Sequence, residues 1–339
     1  MRDFCKSRTL ACFALIFCAC CSGERARAAK HHDGYELLEL RAEGNPGAVS
    51  PAELAEDLGY LAPLKLKYIG NNSSGPSSIQ NVVTGDTDFG GAFNGAVLKL
   101  IAAKAPITAI IGYYGVDEKQ WSGFFVLEDS PLQKASDLVG KKIAMNTIGA
   151  HSEFMLKEYL ARGGISPEQA EQVTMVVVPP TSSEQTLRGK QVEVATLGGI
   201  LRDKALERGG IRPLFRDIDL FGTFTAGSYV VRNDFLKNNP KTARKFVEAV
   251  SRALQWARTT PREEVVARMD HIVRTRGRNE DPAPIQYWKS YGVRTPDGKL
   301  SDKDFQIWID WLVREKQLAP GQIKASDTYT AALHAPGAS

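Results

Sequence analysis

The chain has 339 residues, 43% of them hydrophobic and 24% charged, an ordinary globular composition with mass enough for two domains. Its formal charge is +4. Arg2, Lys6, Arg8, Arg25 and Arg27 against Asp3 and Glu24 place +3 of that before residue 29, leaving a body too near neutrality for the basic footprint of a nucleic-acid binder.

In chain order, the first element is a leader. Arg2, Lys6 and Arg8 precede an apolar block, Leu10 to Cys21, too short to span a bilayer. Ala26-Arg27-Ala28 has the small-residue pattern of a cleavage site, so residues 1–28 read as a secretory signal peptide and the mature chain as periplasmic. Phe17-Cys18-Ala19-Cys20 also resembles a lipoprotein box, with Cys20 the alternative anchored residue. All five cysteines precede Ala28, which leaves the mature chain without disulfides, a thiolate nucleophile or a cysteine metal site.

Strands and helices then alternate. Glu36–Arg41 reads as a strand, and Ser50-Pro51 with Glu53 as a capped helix start. Leu64–Ile69 is a strand, Ser77–Thr84 a helix, Thr87–Gly90 a short strand, Ala92–Ala103 a helix and Ile107–Tyr113 a buried strand. The pattern restarts after Trp121, with strands at Phe124–Leu127 and Lys142–Met145 and a helix over His151–Arg162. A strand at Thr174–Val178, a helix at Ser182–Arg188, a strand at Val192–Thr196 and a helix at Ile200–Glu207 follow. Thr223–Arg232 is a long strand, and the last hundred residues read as helical. Repeated β-α-β units predict mostly parallel sheets with helices on both faces. Two such blocks make two α/β lobes: residues 29–115 with 228–339, and residues 116–227. The crossings fall near Gly112–Phe125 and Gly222–Val230. A ligand is expected between the lobes, outside the carboxyl ends of the strands.

The run Ser73-Ser74-Gly75-Pro76-Ser77-Ser78, a helix, and then Thr84-Gly85-Asp86-Thr87-Asp88-Phe89-Gly90-Gly91 is specific. With Asp129-Ser130-Pro131, Ser136 to Ala144, Leu187 to Ala195, Val230 to Phe235 and Asn239-Pro240, it resembles the nitrate, sulfonate and taurine (SsuA/TauA-like) solute-binding proteins of ABC importers across most of residues 36–270. The resemblance implies a two-lobed type II periplasmic binding-protein fold with a helical C-terminal tail. It also implies a monomer that takes a small-molecule ligand, passes it to an ABC importer permease in the inner membrane, and needs no cofactor.

Two helix starts are the candidate anion holders, Ser74, Gly75, Ser77 and Ser78 in one lobe and Thr147, His151 and Ser152 in the other, since each offers unpaired N–H groups and a positive dipole end. Asn45, Asn94 and Thr196 follow predicted strand ends and complete the set. Capping explains Ser77 and Ser152 as well as ligand contact does. Trp121, with Tyr113 and Tyr114, flanks the first crossing, where it either stacks on a ligand or lies under the hinge. His151 has no partner at metal-ligand spacing. Trp308 and Trp311, three apart on a tail helix, read as packing residues.

Thr196 stands where relatives often carry a bulkier or charged ligand residue, and the candidate loops lack Arg and Lys. Sulfonate, nitrate, an aromatic carboxylate and a neutral pyrimidine therefore all remain open. The fold also serves a yeast enzyme that makes the thiamin pyrimidine, but that branch is cytosolic, cysteine-rich and iron-using. This chain has no G-x-S-x-G elbow, H-E-x-x-H or P-loop, so it is expected not to be an enzyme. An exported ligand sensor is the third reading.

Overall fold

The computed structural model describes residues 34–334; the leader, its cleavage site and Cys20 lie outside them. The first lobe opens with β1 (Glu39–Gly44), α1 (Pro51–Asp57), β2 (Lys65–Asn71), α2 (Gly75–Thr84), β3 (Phe89–Phe93), α3 (Asn94–Ala102) and β4 (Ile107–Val116). The second holds β5 (Ser122–Leu127), β6 (Lys142–Met145), α4 (His151–Arg162), α5 (Pro167–Ala170), β7 (Thr174–Val177), α6 (Pro180–Arg188), β8 (Val194–Gly198), α7 (Gly199–Glu207), β9 (Ile211–Arg216) and α8 (Asp217–Phe221). The chain then returns through β10 (Phe224–Arg232) to α9 (Asn233–Asn238), α10 (Pro240–Thr259), α11 (Arg262–Thr275) and α12 (Lys303–Arg314).

Local chemistry sets the element ends. The Ser50 hydroxyl accepts from the Glu53 amide while the Glu53 carboxylate accepts from Ser50 N, a reciprocal cap at α1. Gly85, at φ 84°, ends α2 in the left-handed conformation that glycine adopts without a Cβ clash.

In the first lobe β1 pairs in parallel with β2, and β10 lies between β3 and β4. Arg41 stitches the two groups together: its carbonyl accepts from Asp88 N at 3.1 Å, and its amide donates to the Asp88 carboxylate at 2.7 Å. The second lobe has one sheet in the order β7-β6-β8-β5-β9. The sheets are less parallel than the β-α-β pattern predicted, because β10 is antiparallel to β3 and β4, and β5 is antiparallel to β8 and β9. The reason is topological. A chain that leaves one sheet at the cleft enters the other from its cleft end, so each returning strand runs backwards. The crossings are residues 117–121 and 217–223. Residues 224–227, assigned to the second lobe from sequence, pair in the first.

One apolar core runs through both lobes. Phe154 of α4 stacks on Trp311 of α12 at 4.0 Å and meets Phe93 edge-on at 4.9 Å, and Phe93 meets Trp308 at 4.7 Å. Trp308 and Trp311 are buried, as their spacing predicted. Glu158 of α4 binds Arg162 and, across to α12, Arg314.

The predicted helical tail is interrupted. Between α11 and α12 a strap with only a short 3-10 turn at Ala283–Tyr287 crosses the hinge. Its Tyr291 carbonyl accepts from Gly115 N at 2.9 Å, and its Gly298 carbonyl accepts from Gly112 N at 2.8 Å. Ser290 donates to Asp117 of the first crossing at 2.7 Å, and Lys289 lies 2.9 Å from Asp203 on α7.

Candidate functional site

The carboxyl ends of β1, β3 and β4 and the amino end of β10 face the corresponding ends of β6, β8 and β9 and the start of β5. Two helix starts meet there. Ser74 caps α2, its hydroxyl accepting from Ser77 N at 3.5 Å. Gly75 has no room for a side chain that does not press on Ala92, since a Cβ there would lie 3.1 Å from the Ala92 Cα. The α2 start therefore rests directly on β3. The Ser77 hydroxyl accepts from the Asn72 amide at 3.2 Å, and the Ser78 hydroxyl accepts from Gly91 N at 3.3 Å. Both hydroxyls thus have local partners, one in the loop before α2 and one in β3.

From the other lobe, the loop before α4 closes on this start. The hydroxyls of Thr147 and Ser74 lie 3.2 Å apart, and the Asn146 amide donates to the Ser73 carbonyl at 3.1 Å. His151 and Ser152, both half-buried, open α4, whose N-cap Ala150 supplies no side-chain acceptor. The Glu153 carboxylate turns back to accept from Gly149 N at 2.6 Å. Burial opposes its charge, but hydrogen bonds from Lys157 and Gly149 outweigh that and hold its pKa below the usual range.

Two sequence candidates sit otherwise than expected. Asn94 is wholly buried: its amide donates to the Thr225 and Asp304 carbonyls, and its oxygen accepts from Ser228. It ties α3, α12 and β10 together. Thr196 lies inside β8, opposite Phe124, because the strand runs on to Gly198. Trp121 is half-buried, with the Arg202 guanidinium 4.1 Å from its ring centre and that of Arg216 5.3 Å away. Asn45 is exposed just past β1.

The cleft floor adds Phe93, Phe224 and Asp217, which the sequence reading did not name, around His151 and the two tyrosines. The His151 ring stacks on Phe93 at 5.2 Å and is flanked by Phe224 and Tyr114. Its Nε2 lies 3.3 Å from the Asp217 carboxylate, off line for a hydrogen bond. Asp217 is buried at the second crossing, where both its oxygens accept from Ser122 N at 3.0 Å. Tyr113 stacks on Tyr229 at 4.3 Å. Burial pushes both the Tyr113 and Tyr114 phenols well above their usual range, and for Tyr114 the negative charge of Asp217 adds to it. Both phenols therefore stay protonated and can donate or accept.

Comparison with known proteins places this arrangement. Residues 49–264 match the family described as "NMT1/THI5 like". A candidate binding protein of Brucella abortus is 24% identical over 195 residues, covering 57% of this chain and 58% of the relative, so the match spans less than two thirds of that relative's length. The 4-amino-5-hydroxymethyl-2-methylpyrimidine phosphate synthase THI5 of Saccharomyces cerevisiae is 24% identical over 278 residues, 77% of this chain and 76% of the yeast protein. Among solved structures, the periplasmic aliphatic sulphonate binding protein SsuA from Escherichia coli superposes with a TM-score of 0.66 at 18% identity, over 87% of this chain and 92% of that one. The periplasmic nitrate-binding protein NrtA from Synechocystis PCC 6803 superposes with a TM-score of 0.69 at 15% identity, over 88% of each. The fold is thus the two-lobed periplasmic binding-protein fold that the motifs implied.

Proposed function

The chain belongs to the NMT1/THI5-like family, and from that premise we propose that it is an exported solute-binding protein that closes two lobes on a small molecule and delivers it to an ABC importer permease. On this reading residues 29–116 with 224–339 form one lobe and 117–223 the other. The mature protein is a periplasmic monomer and acts by binding, without catalysis or cofactor.

The observation that carries the proposal is the meeting of Ser74 and Thr147 at 3.2 Å. Two helix starts from opposite lobes converge at the strand ends, where unpaired amides are available to a ligand. A ligand that touches both lobes favours the closed form, because only that form completes its contacts. The ligand contacts proposed are Asn45, Ser74, Gly75, Thr147, His151 and Ser152, with the hydroxyls of Tyr113 and Tyr114 on the floor. The similarity to a yeast synthase is set against the relatives and structural neighbours that are binding proteins.

Mass spectrometry of small molecules released from the purified protein tests the binding reading. Scattering with and without the released compound tests closure. A bound compound that leaves the dimensions unchanged would place the site outside the cleft. Turnover of that compound would replace transport by catalysis.

A further inference from the structure

We propose that Asp217 is a specificity-determining residue of the cleft, one that excludes oxyanions and selects a neutral or cationic ligand bearing a hydrogen-bond donor. The inference rests on the solute-binding reading above and names the ligand class of that same cleft.

The position comes first. Asp217 follows β9 directly, and Ser122, whose amide it accepts from, opens β5. Both lie at the end of the second sheet that faces the first lobe. The carboxylate is buried and reaches His151 Nε2 at 3.3 Å, and His151 stacks on Phe93 at the end of β3. A ligand resting against Tyr114 and His151, whose rings lie 6.2 Å apart, is therefore within electrostatic reach of the carboxylate, in a place where water screens it little.

The loops that face the cleft carry no compensating charge of their own, and Arg216, next to Asp217 in the chain, is engaged by Asp219 at 2.5 Å. Residues 45–47, 72–78, 146–152 and 194–199 contain no Lys or Arg. The nearest cation to the end of β1 is Arg278, and it is already paired with Glu53 at 2.7 Å and stacked over Tyr68. At the start of α4, where an anion would sit by its dipole, the Glu153 carboxylate turns back onto Gly149 N and adds a second negative group. Even a protonated His151 would leave its pair with Asp217 without net positive charge. The two phenols accept as readily as they donate and so do not discriminate. Like charges brought together out of water repel strongly, and repulsion of the wrong partner is how a site becomes selective.

The test uses nitrate and methanesulfonate as probes, titrated by calorimetry into the purified protein and into Asp217→Asn. Asparagine keeps an oxygen for Ser122 N and removes the charge. Asp217→Ser, with a hydroxyl to accept that amide, is the second variant if the first does not fold, and a thermal melt of each confirms folding. The wild-type protein is expected to bind neither probe measurably. The neutral variant should gain affinity for at least one by about tenfold or more. Tight binding of either probe by the wild type overturns the inference, and so does a folded neutral variant that gains nothing. Scattering separates the two levels of failure. Oxyanion binding that compacts the wild-type protein ends the role of Asp217 and keeps the cleft. Binding without compaction, unaffected by Asp217→Asn, removes the cleft reading as well.

Discussion

The Ser74 hydroxyl, at the cap of α2, lies 3.2 Å from the Thr147 hydroxyl in the loop before α4. This contact and the Asn146 bond to the Ser73 carbonyl bridge the mouth of the cleft with neutral groups alone. Neutral hydrogen bonds are worth about 0.5–1.5 kcal/mol each in net terms. Deeper in, Phe93, Phe154, Trp308 and Trp311 join the lobes through apolar rings. The lobes thus meet through neutral hydrogen bonds at the mouth, through packed rings at the aromatic cluster, and through Lys289 and Asp203 at the strap.

Thr147→Val should therefore loosen the mouth and leave the fold intact. The melting temperature is expected to stay within a degree or so of wild type, since the lost bond is worth only about 1 kcal/mol and both hydroxyl positions are reachable by water. The unliganded protein should become measurably larger in scattering. A fall in stability without any change in dimensions would mean that Thr147 is a packing residue.

Asn94→Ala should damage folding before it touches binding. The side chain serves Thr225, Asp304 and Ser228 in a place without water. Stranding those partners costs about 1–3 kcal/mol for each buried group left unsatisfied. Urea denaturation is expected to show a lower midpoint with an unchanged slope. Weakened ligand binding at wild-type stability would return Asn94 to the cleft.

Acid stability should depend on Glu158. Burial disfavours its charged form, but hydrogen bonds from Arg162 and Arg314 overcome this and hold its pKa below the ordinary carboxylate value of 4.5. A group whose folded value is depressed stabilises the protein above its unfolded value, and that stabilisation is lost as pH falls through the folded one. Glu158→Gln has no such charge to lose. Its melting temperature should be lower than wild type at neutral pH, and the gap should narrow as the pH drops below 4.5. Parallel curves for the two proteins down to the acid limit would contradict the linkage.

Gly115→Ala should dislodge the strap. A Cβ at Gly115 would fall 2.3 Å from the Gly292 carbonyl oxygen and 2.4 Å from that of Phe224, both backbone atoms that cannot swing aside. Overpacking of this kind costs about 1–3 kcal/mol. Hydrogen exchange is expected to accelerate at residues 286–298 ahead of the rest. Unchanged protection there would show that the strap and β4 are not tightly coupled.

Much of this architecture is legible in the sequence because it is written locally. Lys142–Met145 and His151–Arg162 follow the predicted bounds, since hydrophobic period and flanking residues agree there. β9 was not anticipated: Pro213 interrupts its alternation, and a proline reads as a strand breaker until the strand proves to lie at a sheet edge. With β9 missing, the residue just after it had no strand end to mark it, so Asp217 went unnoticed. Asn94 was misplaced for a related reason. An asparagine at a strand-helix junction looks like a ligand donor, and only the arrival of β10 and α12 from more than a hundred residues away shows that its bonds are taken. Ser74 and Thr147 are legible as candidates because a helix start carries its own signature, although their distance depends on the two lobes meeting.

The place of β10 in the first sheet bears on how the chain can fold. In the sheet β3 and β4 are joined through this strand, the last to be synthesised of the ten among the described residues. Until residue 232 is available, the first lobe lacks its middle strand and both edges stay unpaired. The second lobe, a single uninterrupted segment between the crossings, can assemble earlier. Pairing across so long a sequence separation is slow, because the intervening loop must be closed before any contact rewards it. The first lobe is therefore expected to complete its sheet after the second.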